Sequence, residues 1–196
     1  MKVLTVIAHP NTDKSFNHAI AQAAIETLKA NGHEVVVRDL YADGFDPVLP
    51  LGEEKLPAED LPQVIQDDMA LVRQADAILF VHPNWWSAPP AILKGWIDRV
   101  LRAGFAYRFS PEGAIPMLGD KSAFIFTTSN TPGEVEDKVY HNPIANFWKT
   151  IVFGLCGSRT CCYRNFDSVI MSTPEQRAGW LQEVRDTIAR HFPRQA

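Results

Sequence analysis

The chain opens on an apolar run, Lys2-Val3-Leu4-Thr5-Val6-Ile7-Ala8, rich in β-branched residues and apolar on both faces. A strand covered on both sides reads this way, whereas a half-exposed strand alternates apolar with polar. From Ser15 the period changes to that of a helix: Phe16, Ala19, Ile20, Ala23, Ala24 and Leu28 share one face, and Asn31-Gly32 is a stop signal. Residues 34–40 read as a second strand with Val35, Val36 and Val37 at its centre. Residues 41–62 have no period and hold Pro47, Pro50, Pro57 and Pro62, so they form an excursion longer than a connector needs and therefore a candidate for function.

The alternation then continues. Residues 63–74 form a helix with Val64, Ile65, Met69, Leu71 and Val72 inward, and 76–82 a third, continuously apolar strand. A helix over 90–101 takes Pro89-Pro90 into its first turn. Residues 121–128 are a fourth strand, 143–155 a helix, 160–167 a fifth strand, and 174–191 a last helix capped by Thr173. No repeat or interdomain linker interrupts this, so residues 1–196 read as a single α/β domain. Five strands alternating with helices predict a three-layer α/β/α sandwich on a doubly wound parallel sheet. In the order 2-1-3-4-5 ligands bind at the carboxyl ends of the strands, where the order reverses between strands 1 and 3. The loops after Ala8, His82 and Thr128 are therefore the ones to inspect.

Composition narrows the partners. Hydrophobic residues make up 46% and charged residues 21%, too apolar for a disordered chain. Lys and Arg number 19 against 23 Asp and Glu, a net charge of −4, which argues against a nucleic-acid or anionic-membrane binder. Cys156, Cys161 and Cys162 are odd in number and two are adjacent, which is neither a disulfide framework nor a zinc spacing, and no metal site is expected. The first apolar run is too short for a transmembrane helix and lacks a signal-peptide cleavage region, so the expected compartment is the cytoplasm.

The first loop, His9 to Asn17, has no glycine, so it is neither a dinucleotide fingerprint nor a Walker loop. It offers hydroxyl and amide donors, Lys14, His9 and a helix N-terminus, which suit a phosphate; Ser15 as a plain helix cap explains the same residues. The second loop, His82-Pro83-Asn84-Trp85-Trp86-Ser87-Ala88-Pro89-Pro90, is a stiff aromatic rim suited to a flat ring with polar edges. Taken alone, its two tryptophans fit core or dimer-interface packing as well. The third loop, Thr127-Thr128-Ser129-Asn130-Thr131-Pro132-Gly133-Glu134, clusters hydroxyls at a strand end and reads equally as a solvated turn. Convergence of the three on one crevice is what favours a ligand site.

The run Pro83 to Val100, with Pro-Ala-Ile-Leu-Lys-Gly-Trp-Ile-Asp-Arg-Val at its centre and Gly104-Phe105-Ala106-Tyr107 after it, resembles the signature segment of the NAD(P)H:quinone oxidoreductases, which have a flavodoxin-like fold. Ala8-His9-Pro10 with Ser15-Phe16-Asn17, and Asp39-Leu40-Tyr41-Ala42 with Phe45-Asp46-Pro47, are similar to the same family, and the likeness covers most of residues 1–130. The resemblance implies a flavin, FAD by family preference with FMN possible, that takes a hydride from NAD(P)H at N5 and returns it to a quinone in a ping-pong cycle. His9, Ser15, Phe16 and Asn17 would hold the phosphate and ribityl end. Pro83, Asn84, Trp85, Trp86 and Ser87 would line the ring, with Thr127, Thr128, Ser129 and Asn130 at its other polar edge. Tyr107 and Phe109 would meet the substrate across a homodimer interface, for which Phe45, Val48 and Leu49 are apolar candidates.

Two departures stand out. Family members commonly carry Thr-Thr-Gly-Gly where this chain has Thr127-Thr128-Ser129-Asn130. Tyr140 and His141 are the counterparts of a Tyr and a His that assist hydride transfer in some members, but their spacing does not align cleanly. The competing classes are a flavodoxin-like electron carrier, against which the mild charge stands, and an ancillary regulatory subunit of a potassium efflux system, which related chains serve as. Azoreductase activity is close chemistry.

Overall fold

The computed structural model describes residues 1–158 and 160–194. The strands β1 (Lys2–Ile7), β2 (Glu34–Asp39), β3 (Ala77–Pro83), β6 (Ser122–Thr128) and β7 (Thr160–Phe166) form one sheet, and β4 (Tyr107–Ser110) and β5 (Gly113–Pro116) a separate hairpin. The sheet runs β2-β1-β3-β6-β7 with every pair parallel, which is the expected order 2-1-3-4-5 counted within the sheet. Of Thr160 and Cys161 only the backbone is described; Cys156 and Cys162 are free thiols. Among the described residues no helix is long and apolar enough to cross a membrane.

The apolar runs divide residue by residue between two cores, as a period of two demands. Leu4, Val6, Ile78, Phe80, Ala123 and Ile125 face α2 (Gln63–Gln74) and α3 (Ala91–Val100). Val3, Ile7, Leu79, Val81, Phe124 and Phe126 face α1 (Phe16–Ala30) and α7 (Pro174–His191). Phe80 is wedged between Trp96 and Trp148, ring centres 5.8 and 4.6 Å away, and all three are fully buried. A buried side chain of this size contributes roughly 1.5–3 kcal/mol, so the layer that supplies Trp96 and Trp148 is not dispensable. Both long outer helices are capped as their sequences require. Ser15 Oγ accepts the His18 N–H at 3.1 Å, and Thr173 forms a reciprocal box with Gln176.

Several expectations are corrected. The β4–β5 hairpin was not foreseen; its strands are short, half-exposed and closed by Gly113 at φ 128°. A short helix, α4 (Gly133–Lys138), begins inside the third loop, where the charge-rich sequence shows no apolar face. The helix expected over 143–155 is α5 (Pro143–Asn146), a π-helical segment Phe147–Val152, and α6 (Phe153–Cys156). Pro90 caps α3 rather than entering it, and Val64 is exposed. Phe45, expected at an interface, is in this chain's own core, whereas Val48 and Leu49 are exposed.

The excursion over 41–62 holds two single 3-10 turns, Glu53–Lys55 and Ala58–Asp60, and is fastened to α3. Arg99 grips the Glu53 carboxylate through both Nε and an Nη, at 2.8 and 2.7 Å, and donates to the Asp46 carbonyl at 2.6 Å. Arg102 donates to the carbonyls of Glu53, Glu54 and Leu56. Gly95 lets the chain come this close: a Cβ there would stand 2.2 Å from the Pro47 carbonyl oxygen.

Candidate active site

The register sets the carboxyl ends of the three central strands level. Ile7 pairs with Val81, and Pro83 with Thr128; beyond them the Ala8 N–H donates to the Val81 carbonyl and the Asn84 N–H to the Thr128 carbonyl, at 3.0 and 2.7 Å. The three loops that leave these ends enclose a crevice of about 380 Å³. His9, Ser15, Phe16 and Asn17 line it from the first loop and the start of α1. Pro83, Asn84, Trp85 and Trp86 line it from the second loop; Thr128, Ser129, Asn130 and Thr131 from the third; Val169 from the segment after β7.

The first loop is held by its own side chains. Asn11 Oδ1 accepts the Lys14 N–H at 3.0 Å, and His9 Nδ1 accepts the Asn11 N–H at 3.1 Å. Burial lowers the pKa of His9 from its ordinary value, against an opposing contact with the Asn11 backbone. Behind the cap runs a chain of three groups: Ser15 Oγ lies 2.6 Å from His18 Nδ1, and His18 Nε2 lies 2.7 Å from Asp39 Oδ2. Ser15 and Asp39 hold the His18 ring from its two nitrogens. The α1 N-terminus thus presents free backbone donors beside an oriented hydroxyl, a setting that attracts anions.

The second loop is a tight hairpin turn. Trp85 and Ala88 exchange both backbone hydrogen bonds, at 3.0 and 3.1 Å, while Trp86 and Ser87 take left-handed φ of 53° and 58°. A turn with two left-handed residues normally uses Gly or Asn there. Here two bulkier side chains carry the strain, at about 1–3 kcal/mol each, a kind of cost that clusters at functional sites. Trp86 is fully exposed at the crevice mouth.

The inner wall is polar and incompletely paired. Asn17 Nδ2 donates to Thr128 Oγ1 at 2.9 Å, and Asn84 Nδ2 to Glu136 Oε1 at 3.0 Å. Asn17 Oδ1, Asn84 Oδ1 and Glu136 Oε2 are buried without a hydrogen-bond partner. Native proteins seldom leave such atoms orphaned, and their gathering at one crevice marks a place that a ligand completes.

Not every expected residue joins this site. Thr127 and Thr128 are neighbours on β6 and so point to opposite faces. Thr128 meets the crevice, but Thr127 is fully buried on the other side, its hydroxyl 2.9 Å from Asn165 Oδ1 and 3.2 Å from the Tyr163 hydroxyl. Ser87 supports the turn and does not line the crevice. Tyr107 and Phe109 sit on the hairpin, Phe109 exposed and Tyr107 lining a second groove of about 340 Å³ with Leu49, Phe147 and Ile151. Tyr140 and His141 follow α4, both exposed, and neither lines the crevice of its own chain. No residue of the 41–62 excursion lines it either.

Sequence reasoning missed Glu136 and Val169, and gave His82 only as the start of the second loop. Val169 lines the crevice from the segment after β7 and Glu136 meets Asn84 from α4 behind it, and no local pattern marks either. The one usable signal was that the loop after the fifth strand adjoins the fourth.

A sheet of this order, with a crevice at the reversal of strand order, defines the flavodoxin-like class. A family model described as flavodoxin-like fold matches residues 1–191, and the chain belongs to that family. It is 34% identical over 189 residues to an uncharacterized NAD(P)H oxidoreductase of Haemophilus influenzae, covering 93% of this chain and 91% of that one. It is 32% identical over 210 residues to the ribosyldihydronicotinamide dehydrogenase (quinone) of Rattus norvegicus, covering 94% and 90%. The solved NAD(P)H:quinone oxidoreductase of Methanothermobacter marburgensis superposes with a TM-score of 0.82 at 27% identity, covering 96% of this chain and 97% of the other.

Proposed function

We propose that this chain is a flavin-dependent NAD(P)H:quinone oxidoreductase whose flavin lies in the crevice at the ends of β1, β3 and β6. The observation that carries the reading is the crevice's inner wall, where two buried asparagine carbonyl oxygens without partners stand between a helix N-terminus and an exposed tryptophan. That set fits a flavin, which brings N–H and O–H donors, an anionic phosphate and a flat ring together. When bound, a flavin supplies two-electron hydride chemistry between NAD(P)H and a quinone.

The protein's part is to hold and shield. Ser15 and the α1 backbone donors would take the phosphate, with His9 beside them. Asn17 and Asn84 would accept hydrogen bonds from the polar parts of the cofactor, and Trp85 and Trp86 would wall the ring and exclude water. Thr128 and Ser129 sit where hydroxyl donors would steady negative charge gathered on the ring's polar edge. These residues serve the portion common to FAD and FMN, so the proposal covers both.

We take the active unit to be a homodimer in the cytoplasm, formed of one domain per chain. In support, Tyr107 and Phe109 do not reach their own chain's crevice, and Val48, Leu49 and Ile151 leave apolar surface exposed. The family match over nearly the whole chain supports one domain. A second copy could bring the hairpin, and Tyr140 with His141, to the other's site.

The test is direct. Purified protein should retain or take up FAD or FMN, read by absorbance and by quenching of flavin fluorescence, and should then oxidise NADH or NADPH in the presence of menadione. Protein that binds neither flavin overturns the reading. Heat release of the bound flavin identifies which form is used, and sedimentation reads the dimer.

A further inference from the structure

Glu136 lies behind the crevice, 4% exposed, on a helix that the sequence did not foretell. Its place is fixed from both ends of α4: the Gly133 N–H donates to Asp167 Oδ2 at 2.8 Å, and the Asn142 N–H donates to the Glu136 carbonyl at 2.8 Å. The Asn84 backbone N–H is already committed to the Thr128 carbonyl. What remains free at Asn84 is its side-chain amide, and Glu136 decides which way that amide faces. A carboxylate only accepts, so the bond at 3.0 Å must come from the amide NH2. The carbonyl Oδ1 is then turned away from Glu136 and left without a partner.

We propose that Glu136 is a positioning residue that acts through Asn84, fixing the inner wall of the crevice as a hydrogen-bond acceptor so that the site selects a ligand offering N–H or O–H donors. Asn17 matches it from the first loop, its amide NH2 spent on Thr128 and its carbonyl oxygen likewise buried and unpaired. A flavin offers such donors in its ring imide and its ribityl hydroxyls, whereas a quinone brings only acceptor oxygens and gains nothing at these atoms. The inference rests on the flavin reading above and adds the group that sets its polarity. Burial pushes the Glu136 carboxyl above its ordinary pKa, with the Thr131 hydroxyl pulling the other way. The Asn84 amide is a donor to this carboxylate, as burial of such a group requires.

The experiment titrates flavin-free protein with FAD and FMN at neutral pH, reading fluorescence quenching and the position of the bound flavin's visible bands. Glu136→Gln is isosteric but can donate to Asn84 Oδ1 and turn the amide around; flavin affinity should fall about fivefold, the scale of one lost hydrogen bond. The exchange Glu136→Gln/Asn84→Asp returns an acceptor-only group to the crevice, and it should recover most of the affinity and the wild-type band positions. Wild-type affinity in Glu136→Gln, or an exchange variant no tighter than Glu136→Gln, overturns the proposal. Should Glu136→Gln lose its cooperative melt, the wild-type protein still decides. It should bind riboflavin about tenfold tighter than 3-methyllumiflavin, which lacks the imide and hydroxyl donors; equal affinity overturns the proposal. Wild-type protein that binds no flavin takes the functional reading down as well, whereas failure of the variants alone leaves that reading standing.

Discussion

Trp148 donates its indole N–H to Nε2 of His82 at 2.9 Å, and His82 donates from Nδ1 to the Pro83 carbonyl at 2.8 Å. Both rings are fully buried. Nε2 accepts, so the imidazole is neutral with its single proton on Nδ1. Through this one ring the π-helical segment Phe147–Val152 is joined to the first residue of the aromatic loop. π-Helical turns recur where a helix has been adjusted to place a functional group, and here the group placed is the indole that holds His82.

A neutral buried histidine makes stability depend on pH in a defined window. Burial takes the His82 pKa from 6.5 down to about 4. Between those values the unfolded chain binds a proton that the folded chain refuses, so stability falls as pH drops from about 6.5 to about 4 and no further below. The depression corresponds to roughly 3 kcal/mol. Urea unfolding midpoints followed across that range should show the loss in the wild type. His82→Gln keeps a donor and an acceptor but cannot titrate; it should be less stable at neutral pH and lack this part of the slope. An unchanged slope in His82→Gln would assign the effect to other groups.

The turn Trp85–Ala88 stores strain that glycine would relieve. With Ser87 at φ 58°, Ser87→Gly should raise stability by about 1 kcal/mol, seen as a melting temperature a few degrees higher. The same change loosens the loop that carries Trp86, so flavin retention should weaken a few-fold, because a preorganised rim becomes one that must be ordered on binding. Calorimetry and flavin titration on one preparation read both effects. A variant that melts no higher than wild type would show that the left-handed geometry costs nothing here.

The sheet was legible because its strands write their burial into the sequence: β1, β3 and β6 are apolar on both faces, and only a covered parallel sheet permits that. The crevice followed from topology, since the residues that end these strands had to converge. What stayed hidden depends on contacts with no local period. Thr127 and Thr128 look alike in sequence, yet the pleat sends one to the crevice and the other to Tyr163 and Asn165. Glu136 is one of several charges in a short helix, and only the fold shows that it meets Asn84 across 52 positions. The hairpin escaped because four-residue strands half-exposed to solvent carry too few apolar positions to register.

Gly95 is required by proximity. Its own φ is unexceptional, but a methyl group there would stand 2.4 Å from the Pro47 Cβ as well as against its carbonyl oxygen. Gly95→Ala must therefore push the 41–62 excursion off α3, at a cost of about 1–3 kcal/mol for overpacking. Limited proteolysis should show faster cleavage within that segment in the variant, ahead of global unfolding. Equal cleavage rates would mean that the helix shifts instead and the excursion keeps its place.

The Glu53–Arg99 pair is the second fastening of the same segment, with side chains 3% and 5% exposed. The hydrogen bonds to Glu53 raise the Arg99 pKa, so the guanidinium stays charged at any working pH. Glu53→Ala leaves that charge buried and unpaired and should cost about 3–5 kcal/mol. Replacing both partners, as Glu53→Leu/Arg99→Met, removes the stranded charge and should restore part of the loss; the Asp46 carbonyl still loses its donor, so recovery falls short of wild type. Denaturant unfolding of the three proteins checks the order. If the double variant is less stable than Glu53→Ala, the pair contributes more by its geometry than the desolvation of two ions costs.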